Sequence, residues 1–455
     1  MNKLQRIHFI AIGGSIMHNL AIALKQHGHT ITGSDDEIYE PSRTRLEENG
    51  LHPAKYGWNP DAINNDLDAV ILGMHARADN PELLKAQESG VKIFSFPEYI
   101  YEQSKDKQRV VIAGSHGKTT ITAMIMHVLK YFNREFDFAV GAQLKGFTNT
   151  VQLTDAPIII IEGDEYLSSP IDSSPKFLKY QHHIGLISGI SWDHINVFPT
   201  EDDYVKQFET FADSTPKGGS LAYYDGDPMT SIIGSKERED VKALPYIAHP
   251  NIIENNKTYL MRDNDTIELK VFGRHNLENI NGAKVVLGRI GISEDQFYEA
   301  IPSFEGAQLR MQKVASNNVT TVYRDYAHAP SKVKATTLAL KEQYPERELV
   351  ACLELHTFSS LKKEFMDQYN GTMKYANVPI VYFNPKTIEH KKLTPITKDE
   401  VAKAFKVAHL KVFDNQEELI DELKKQSWEH KNLLLMSSGN FENLDFKALA
   451  NDIIA

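Results

Sequence analysis

The run Gly114-Ser115-His116-Gly117-Lys118-Thr119-Thr120 has the residue types that bind the phosphates of a nucleotide. It follows an apolar strand pattern over residues 110–113 and opens a helical pattern that continues to about residue 131. Backbone amides at such a turn cradle phosphate oxygens, a lysine neutralises the β- and γ-phosphates, and the next hydroxyl binds Mg2+. Lys118 and Thr119 stand at those two positions. The spacing is shorter than in the common phosphate loop, because Ile112 occupies the place of its first glycine. A Gly-Lys-Thr on an arbitrary loop means little, but one set between strand and helix points to ATP and Mg2+ as cofactors.

Three later clusters bear on the same chemistry. Glu162-Gly163-Asp164-Glu165 directly follows an apolar strand, where a carboxylate can hold Mg2+ facing the phosphate loop. A solvated acidic loop is the plainer reading for Asp164 or Glu165, and less so for Glu162. Trp192-Asp193-His194 follows the next strand, so His194 can join a metal shell, contact phosphate or serve structure alone. In Gly273-Arg274-His275-Asn276-Leu277-Glu278-Asn279, Asn276 and Asn279 are three apart at a helix start. They share a helical face and can hydrogen-bond a base edge together, although asparagine is also an ordinary residue near helix starts.

A first glycine turn, Ala11-Ile12-Gly13-Gly14-Ser15-Ile16-Met17, lies between an earlier strand and helix. It suits a diphosphate, and Asp35 after the second strand is placed to reach a ribose hydroxyl. Ala11 and Ile16 break the dinucleotide fingerprint at both ends, which argues against a nicotinamide-dependent dehydrogenase and leaves a structural turn as the alternative.

These residues need strands and helices to hold them. Short apolar runs at 7–12, 30–33, 69–72 and 91–94 alternate with helical patterns such as 16–27, as in a parallel sheet covered on both faces. Residues 102–108 read as a polar linker. A second unit then supplies strands at 110–113, 158–161 and 184–190, and residues 217–271 read as short antiparallel strands before a helix over 276–290. From about residue 303 the alternation restarts, with strands at 320–323, 348–353, 380–382 and 433–436. The expected fold class is α/β in three domains: 1–107, 108–302 and 303–455.

Composition narrows the function further. Fifty basic against 61 acidic side chains give a net charge of -11, which disfavours non-specific nucleic-acid binding. The lone cysteine, Cys352, sits in an apolar run and reads as a core residue, so neither a disulfide nor a cysteine metal cluster is expected. No apolar run approaches the roughly 20 residues of a membrane span, and the first apolar stretch is too short for a secretory signal. The expectation is a soluble, cytoplasmic protein with no membrane or nucleic-acid partner.

The phosphate loop, the acidic motif, Trp192-Asp193-His194 and His275-Asn276-x-x-Asn279 occur in this order, followed by Arg310 and Asp325-Tyr326-Ala327-His328. Together they resemble the Mur ligase family of ATP-dependent amide-forming enzymes, over essentially the whole chain. The resemblance implies a Rossmann-like N-terminal domain that binds a UDP-sugar through Gly13, Gly14, Ser15, Ser34 and Asp35. It implies a central ATPase-like domain in which the 114–120 loop, Asn276 and Asn279 contact ATP, while Thr119, Glu162 and His194 hold metal. It also implies a Rossmann-like C-terminal domain in which Arg310 and Asp325 reach the nucleotide and His328 and His356 lie near the incoming amine. Lys118, His194, Arg310 and Asp325 are then the catalytic candidates.

Within the family, several stretches resemble the branch that joins L-alanyl-γ-D-glutamyl-meso-diaminopimelate to UDP-N-acetylmuramate in peptidoglycan recycling. These are Ile16 in the glycine turn, Gly33-Ser34-Asp35 with Tyr39-Glu40-Pro41, the insertion 166–180, and Met436-Ser437-Ser438-Gly439-Asn440-Phe441. Leu167, Arg324 and Ala329 depart from that branch, and Leu355-His356-Thr357-Phe358 is closer to the alanine-adding ligases. The resemblance implies carboxylate activation by ATP to an acyl phosphate, followed by attack of an amine. The alternatives are the alanine-adding reaction and, from another class, a catalytically silent UDP-sugar or ATP sensor.

Overall fold

The computed structural model describes residues 4–192, 197–307 and 309–455. The chain divides into two compact units, one comprising Met1–Ile247 with Glu278–Ala300 and the other Ala248–Leu277 with Ile301–Ala455.

The first unit holds two large sheets. A four-stranded parallel sheet runs Thr30–Ser34, Arg6–Ile10, Ala69–Leu72, Ile93–Ser95. Two of its helices, Pro81–Ser89 and Phe96–Glu102, start where the sequence supplies a cap. The Asn80 side chain accepts from the amides of Glu82 and Leu83 ahead of Pro81–Ser89, which ends on left-handed Gly90. The second sheet has seven strands in the order Lys242–Tyr246, Ser220–Tyr224, Ile184–Ile187, Gln108–Ala113, Ile158–Glu162, Asp137–Ala139, Val151–Gln152. All its pairs are parallel except the last. Helices on both faces require strands apolar on both sides, and Val110, Val111, Ile112, Ile159, Ile160 and Ile161 are all fully buried. Truncating one of these isoleucines to alanine costs about 2–5 kcal/mol.

One segment departs from the expected pattern. Residues 217–246 are not antiparallel strands: Ser220–Tyr224 and Lys242–Tyr246 extend the parallel sheet and are joined through the helix Pro228–Ser235. The Asp227 side chain caps that helix, a start signal that the short alternating runs obscured. The expected antiparallel meander is confined to Asn251–Glu254, Lys257–Arg262 and Asp265–Leu269, in the second unit.

The second unit's main sheet has the order Gln312–Ser316, Thr321–Asp325, Lys431–Met436, Glu348–Leu355, Val378–Phe383, Lys411–Phe413. Only its first pair is antiparallel. Cys352 is fully buried in it, and burial pushes its thiol far above the usual range, as befits a core residue. Among the described residues no helix is long and apolar enough to cross a membrane.

Candidate active site

In the first unit, the strand Gln108–Ala113 ends at the 114–120 loop, and the helix Lys118–Tyr131 begins within that loop's last residues. Gly117 is the helix N-cap at φ 75°, and no side chain caps the first turn. The amides of Lys118, Thr119 and Thr120 therefore form a helix terminus suited to an anion. Gly114 lies at φ 127°, and a β-carbon there would strike Ser188 on the neighbouring strand end. Ser115 donates its amide to Gly189 O at 2.9 Å, and the Ser188 hydroxyl donates to His116 O, so the loop is fastened to the adjacent strand end.

The lysine and its threonine are both engaged by the acidic motif. Lys118 Nζ lies 2.6 Å from Gly114 O and 2.6 Å from Glu165 Oε2. Burial works against its charge, but Glu165 and Asp164 hold the ammonium above its ordinary range. Thr119 Oγ1 donates to Glu162 Oε1 at 2.6 Å, while Glu162 Oε2 accepts from Gly141 N at 2.9 Å. Asp164 pairs with Lys176 at 2.5 Å and is partly exposed. Glu165, in contrast, is only 2% exposed, so it is no solvated loop residue. A carboxylate two residues beyond a glycine in this motif gives little sequence signal of its inward turn.

The Thr119 hydroxyl and the Glu162 carboxylate make a small, hard-oxygen donor pair. Among the described residues no three His, Cys, Asp or Glu side chains converge as a metal cluster. Two protein oxygens fit Mg2+, which keeps several waters and takes phosphate oxygens as further ligands. Asp193 and His194 lie outside the described residues. Asn279 lies against the loop, its amide oxygen over Gly117. Asn276 donates to Phe272 O at 2.8 Å, within the second unit.

At the first glycine turn, Asp35 Oδ2 accepts from Gly13 N at 2.7 Å, and Ser34 O accepts from the amides of Ala11 and Ile12. One Asp35 oxygen thus shapes the turn itself. A β-carbon on Gly13 would lie 2.8 Å from Ile38 Cγ1, so that glycine has a packing role. Ser15 O accepts from Asn19 Nδ2 at 2.7 Å, and Gly14 O accepts the amide of His18 at 3.1 Å. The segment 141–149 ties this region to the acidic motif. Gly141 binds Glu162, while Thr148 O and Asn149 Oδ1 accept from Arg45 at 3.0 and 3.2 Å.

In the second unit, Asp325 accepts from Met311 N at 2.5 Å and Ala327 N at 2.6 Å. Burial raises its pKa, opposed by Arg310. The Arg310 guanidinium stacks 4.8 Å from the Tyr326 ring centre, and His275 is pushed down to about 4 by burial and by Arg310. His328 Nδ1 is 2.8 Å from Tyr326 O. His356 Nδ1 is 3.8 Å from Glu354 Oε1. Glu354 was not singled out by sequence reasoning, yet it is 3% exposed and accepts from the Ser437 hydroxyl and from Phe441 N. The signal available was an acidic residue inside the apolar strand Glu348–Leu355.

Comparison with known proteins matches this architecture. Residues 6–108 match the Mur ligase family, catalytic domain, residues 112–287 the Mur ligase middle domain, and residues 309–439 the Mur ligase, glutamate ligase domain. The chain is 32% identical to the UDP-N-acetylmuramate–L-alanine ligase of Caldicellulosiruptor bescii over 398 residues, covering 84% of this chain and 83% of that one. Its fold is similar to a murein peptide ligase from Psychrobacter arcticus (TM-score 0.66, 21% identity, 99% of both chains). It is also similar to a UDP-N-acetylmuramate-alanine ligase from Thermotoga maritima (TM-score 0.69, 20% identity, 96% of this chain and 97% of that chain). With an α/β architecture, all three family segments and a relative of this identity, the chain belongs to the Mur ligase family and is an ATP-dependent ligase of peptidoglycan metabolism.

Proposed function

We propose that this ligase joins L-alanyl-γ-D-glutamyl-meso-diaminopimelate to UDP-N-acetylmuramate, with ATP as the activating nucleotide. The observation that carries the ligase chemistry is the pairing of Lys118 with Glu165 and of Thr119 with Glu162 at one helix terminus. In this reading the 114–120 loop and Lys118 bind the transferring phosphoryl group, and Asn279 and Asn276 lie toward the adenine. Thr119, Glu162 and His194 hold Mg2+, which when bound would offset charge on the phosphates. The muramate carboxylate attacks the γ-phosphorus of ATP, breaking its bond to the β,γ-bridging oxygen to give an acyl phosphate and ADP. The peptide amine then attacks the acyl carbon, loses a proton and expels inorganic phosphate to leave the amide. Neither step requires a covalent bond to the protein, so the side chains position groups and balance charge. Residues 1–107 bind the UDP-sugar through Gly13, Gly14, Ser15, Ser34 and Asp35, residues 108–302 the ATP, and residues 303–455 the amine near His328 and His356. Roles of Arg310 and Asp325 toward the nucleotide rest on the family resemblance.

The tripeptide reading is supported by the insertion 166–180, which folds as the hairpin Leu167–Ser169 and Asp172–Pro175 followed by the helix Lys176–Lys179. It is held by Lys176–Asp164 and Lys179–Asp172 ion pairs, both at 2.5 Å. A second reading, addition of L-alanine, is favoured by the alanine-adding relative at 32% identity. Phosphate release in the presence of ATP, Mg2+ and UDP-N-acetylmuramate separates them. Faster turnover with the tripeptide than with L-alanine is expected. Faster turnover with alanine replaces the first reading by the second, and turnover with neither favours a silent nucleotide-binding protein.

A further inference from the structure

Lys118 is oriented by a chain of buried groups that begins outside the phosphate loop and the acidic motif. Tyr204, on the helix Glu201–Asp213, is fully buried, with its ring edge-on to Phe198 and Phe208 at 5.4 and 5.2 Å between centres. Its hydroxyl lies 2.8 Å from Ser115 Oγ and donates to Glu165 Oε1 at 3.2 Å. The other oxygen of the same carboxylate holds Lys118 Nζ at 2.6 Å. Ser115 Oγ also accepts from Ser191 N at 2.9 Å. One phenol therefore bridges the phosphate loop and the carboxylate that competes with phosphate for the lysine. Ser115 and Glu165 are 4% and 2% exposed, so water does not readily replace that bridge.

We propose that Tyr204 is a positioning residue for Lys118: its hydroxyl steadies Glu165 and draws charge from it, leaving the lysine free to pass from carboxylate to phosphate. The inference rests on the assignment of Lys118 to the ATP phosphates. Without the hydroxyl, the Glu165 carboxylate loses a donor, the Lys118–Glu165 pair tightens, and ATP competes against a stronger internal anion.

The test uses the full chain in steady-state ligation, with the KM for ATP and for the sugar nucleotide measured separately. Tyr204→Phe keeps the ring packing. It is expected to lower kcat/KM for ATP by about 10-fold, the scale of one hydrogen bond to a charged group, and to leave the sugar-nucleotide KM within about twofold. In a Glu165→Gln background the same change should add less than about twofold, because no carboxylate remains to be steadied. Unchanged ATP kinetics in Tyr204→Phe overturn the proposal. So does an equal loss in the Glu165→Gln background, or a parallel loss for both substrates. If Tyr204→Phe does not fold, Ser115→Ala removes the hydroxyl's other anchor. A loss of ATP kcat/KM that vanishes in the Glu165→Gln background then supports the proposal, and a loss that persists there overturns it. A Lys118→Ala control separates the two layers. Full activity there rejects the phosphate-loop assignment itself, whereas loss there with none in Tyr204→Phe rejects only the role of Tyr204.

Discussion

Asn279 lies directly over Gly117, so that a β-carbon on the glycine would collide with the asparagine amide oxygen. The glycine also sits at φ 75°, in the left-handed region. Gly117→Ala therefore meets two penalties, a backbone cost of about 1–2 kcal/mol and displacement of Asn279. The expected result is a fall in kcat/KM for ATP of at least ~10-fold, read by phosphate release. Asn279→Ala in the same chain relieves the collision but not the backbone cost, and it removes a side chain assigned to ATP, so recovery relative to the Asn279→Ala single variant should be partial. Full recovery would show that φ at position 117 is unimportant.

Glu162 divides its carboxylate between Thr119 and Gly141. Glu162→Gln keeps the shape but removes the charge that suits a hard divalent cation. The Mg2+ concentration for half-maximal activity should rise by about tenfold or more, and calorimetric titration of Mg2+ with a non-hydrolysable ATP analogue should weaken in parallel. Unchanged Mg2+ dependence would remove Glu162 from the metal site.

Asp35 carries a pH dependence that the turn chemistry explains. Burial, only partly offset by the Gly13 amide, raises its pKa from 3.8 to about 6. Between those values the folded chain holds a proton that the unfolded chain has released, so stability falls as pH rises through this window. Asp35→Asn removes the titration and keeps an acceptor for Gly13. The variant should melt above the wild type at pH 7–8, with the difference shrinking toward zero near pH 4. A constant difference from pH 4 to 8 would assign the effect to something other than this carboxyl.

Much of this site was legible because its residues obey local rules. The strand Ala69–Leu72 and the helix Lys118–Tyr131 have the ends expected from apolar runs and a Gly-Lys turn. Glu162 was legible because a carboxylate at a strand end has few structural reasons to be there. What escaped is long-range. Glu165 and Tyr204 are 39 residues apart, and only the packing of the helix Glu201–Asp213 against the sheet brings them together. The strand Lys242–Tyr246 escaped for a related reason. It lies at the sheet edge with several exposed residues, so its burial pattern does not announce a parallel strand.

Arg324 departs from the tripeptide-adding branch that several stretches of the chain resemble, and strand alternation decides where its side chain goes. Successive side chains on Thr321–Asp325 point to opposite faces. Asp325 turns to the amides of Met311 and Ala327, whereas the Arg324 guanidinium lies over the Phe446 ring at 3.9 Å from its centre. Burial lowers the Arg324 pKa, offset by Glu354, so the stack is partly desolvated. Such a contact contributes about 0.5–2 kcal/mol. Arg324→Ala should therefore lower the melting temperature by a few degrees, at roughly 2–4 °C per kcal/mol for a unit of this size. The kinetic constants for ATP and for the amine should stay within about twofold of wild type. Phe446→Leu should reproduce the thermal effect, and the double variant should add little to either. A change in amine preference on altering Arg324 would mean that this face of the sheet takes part in choosing the amine.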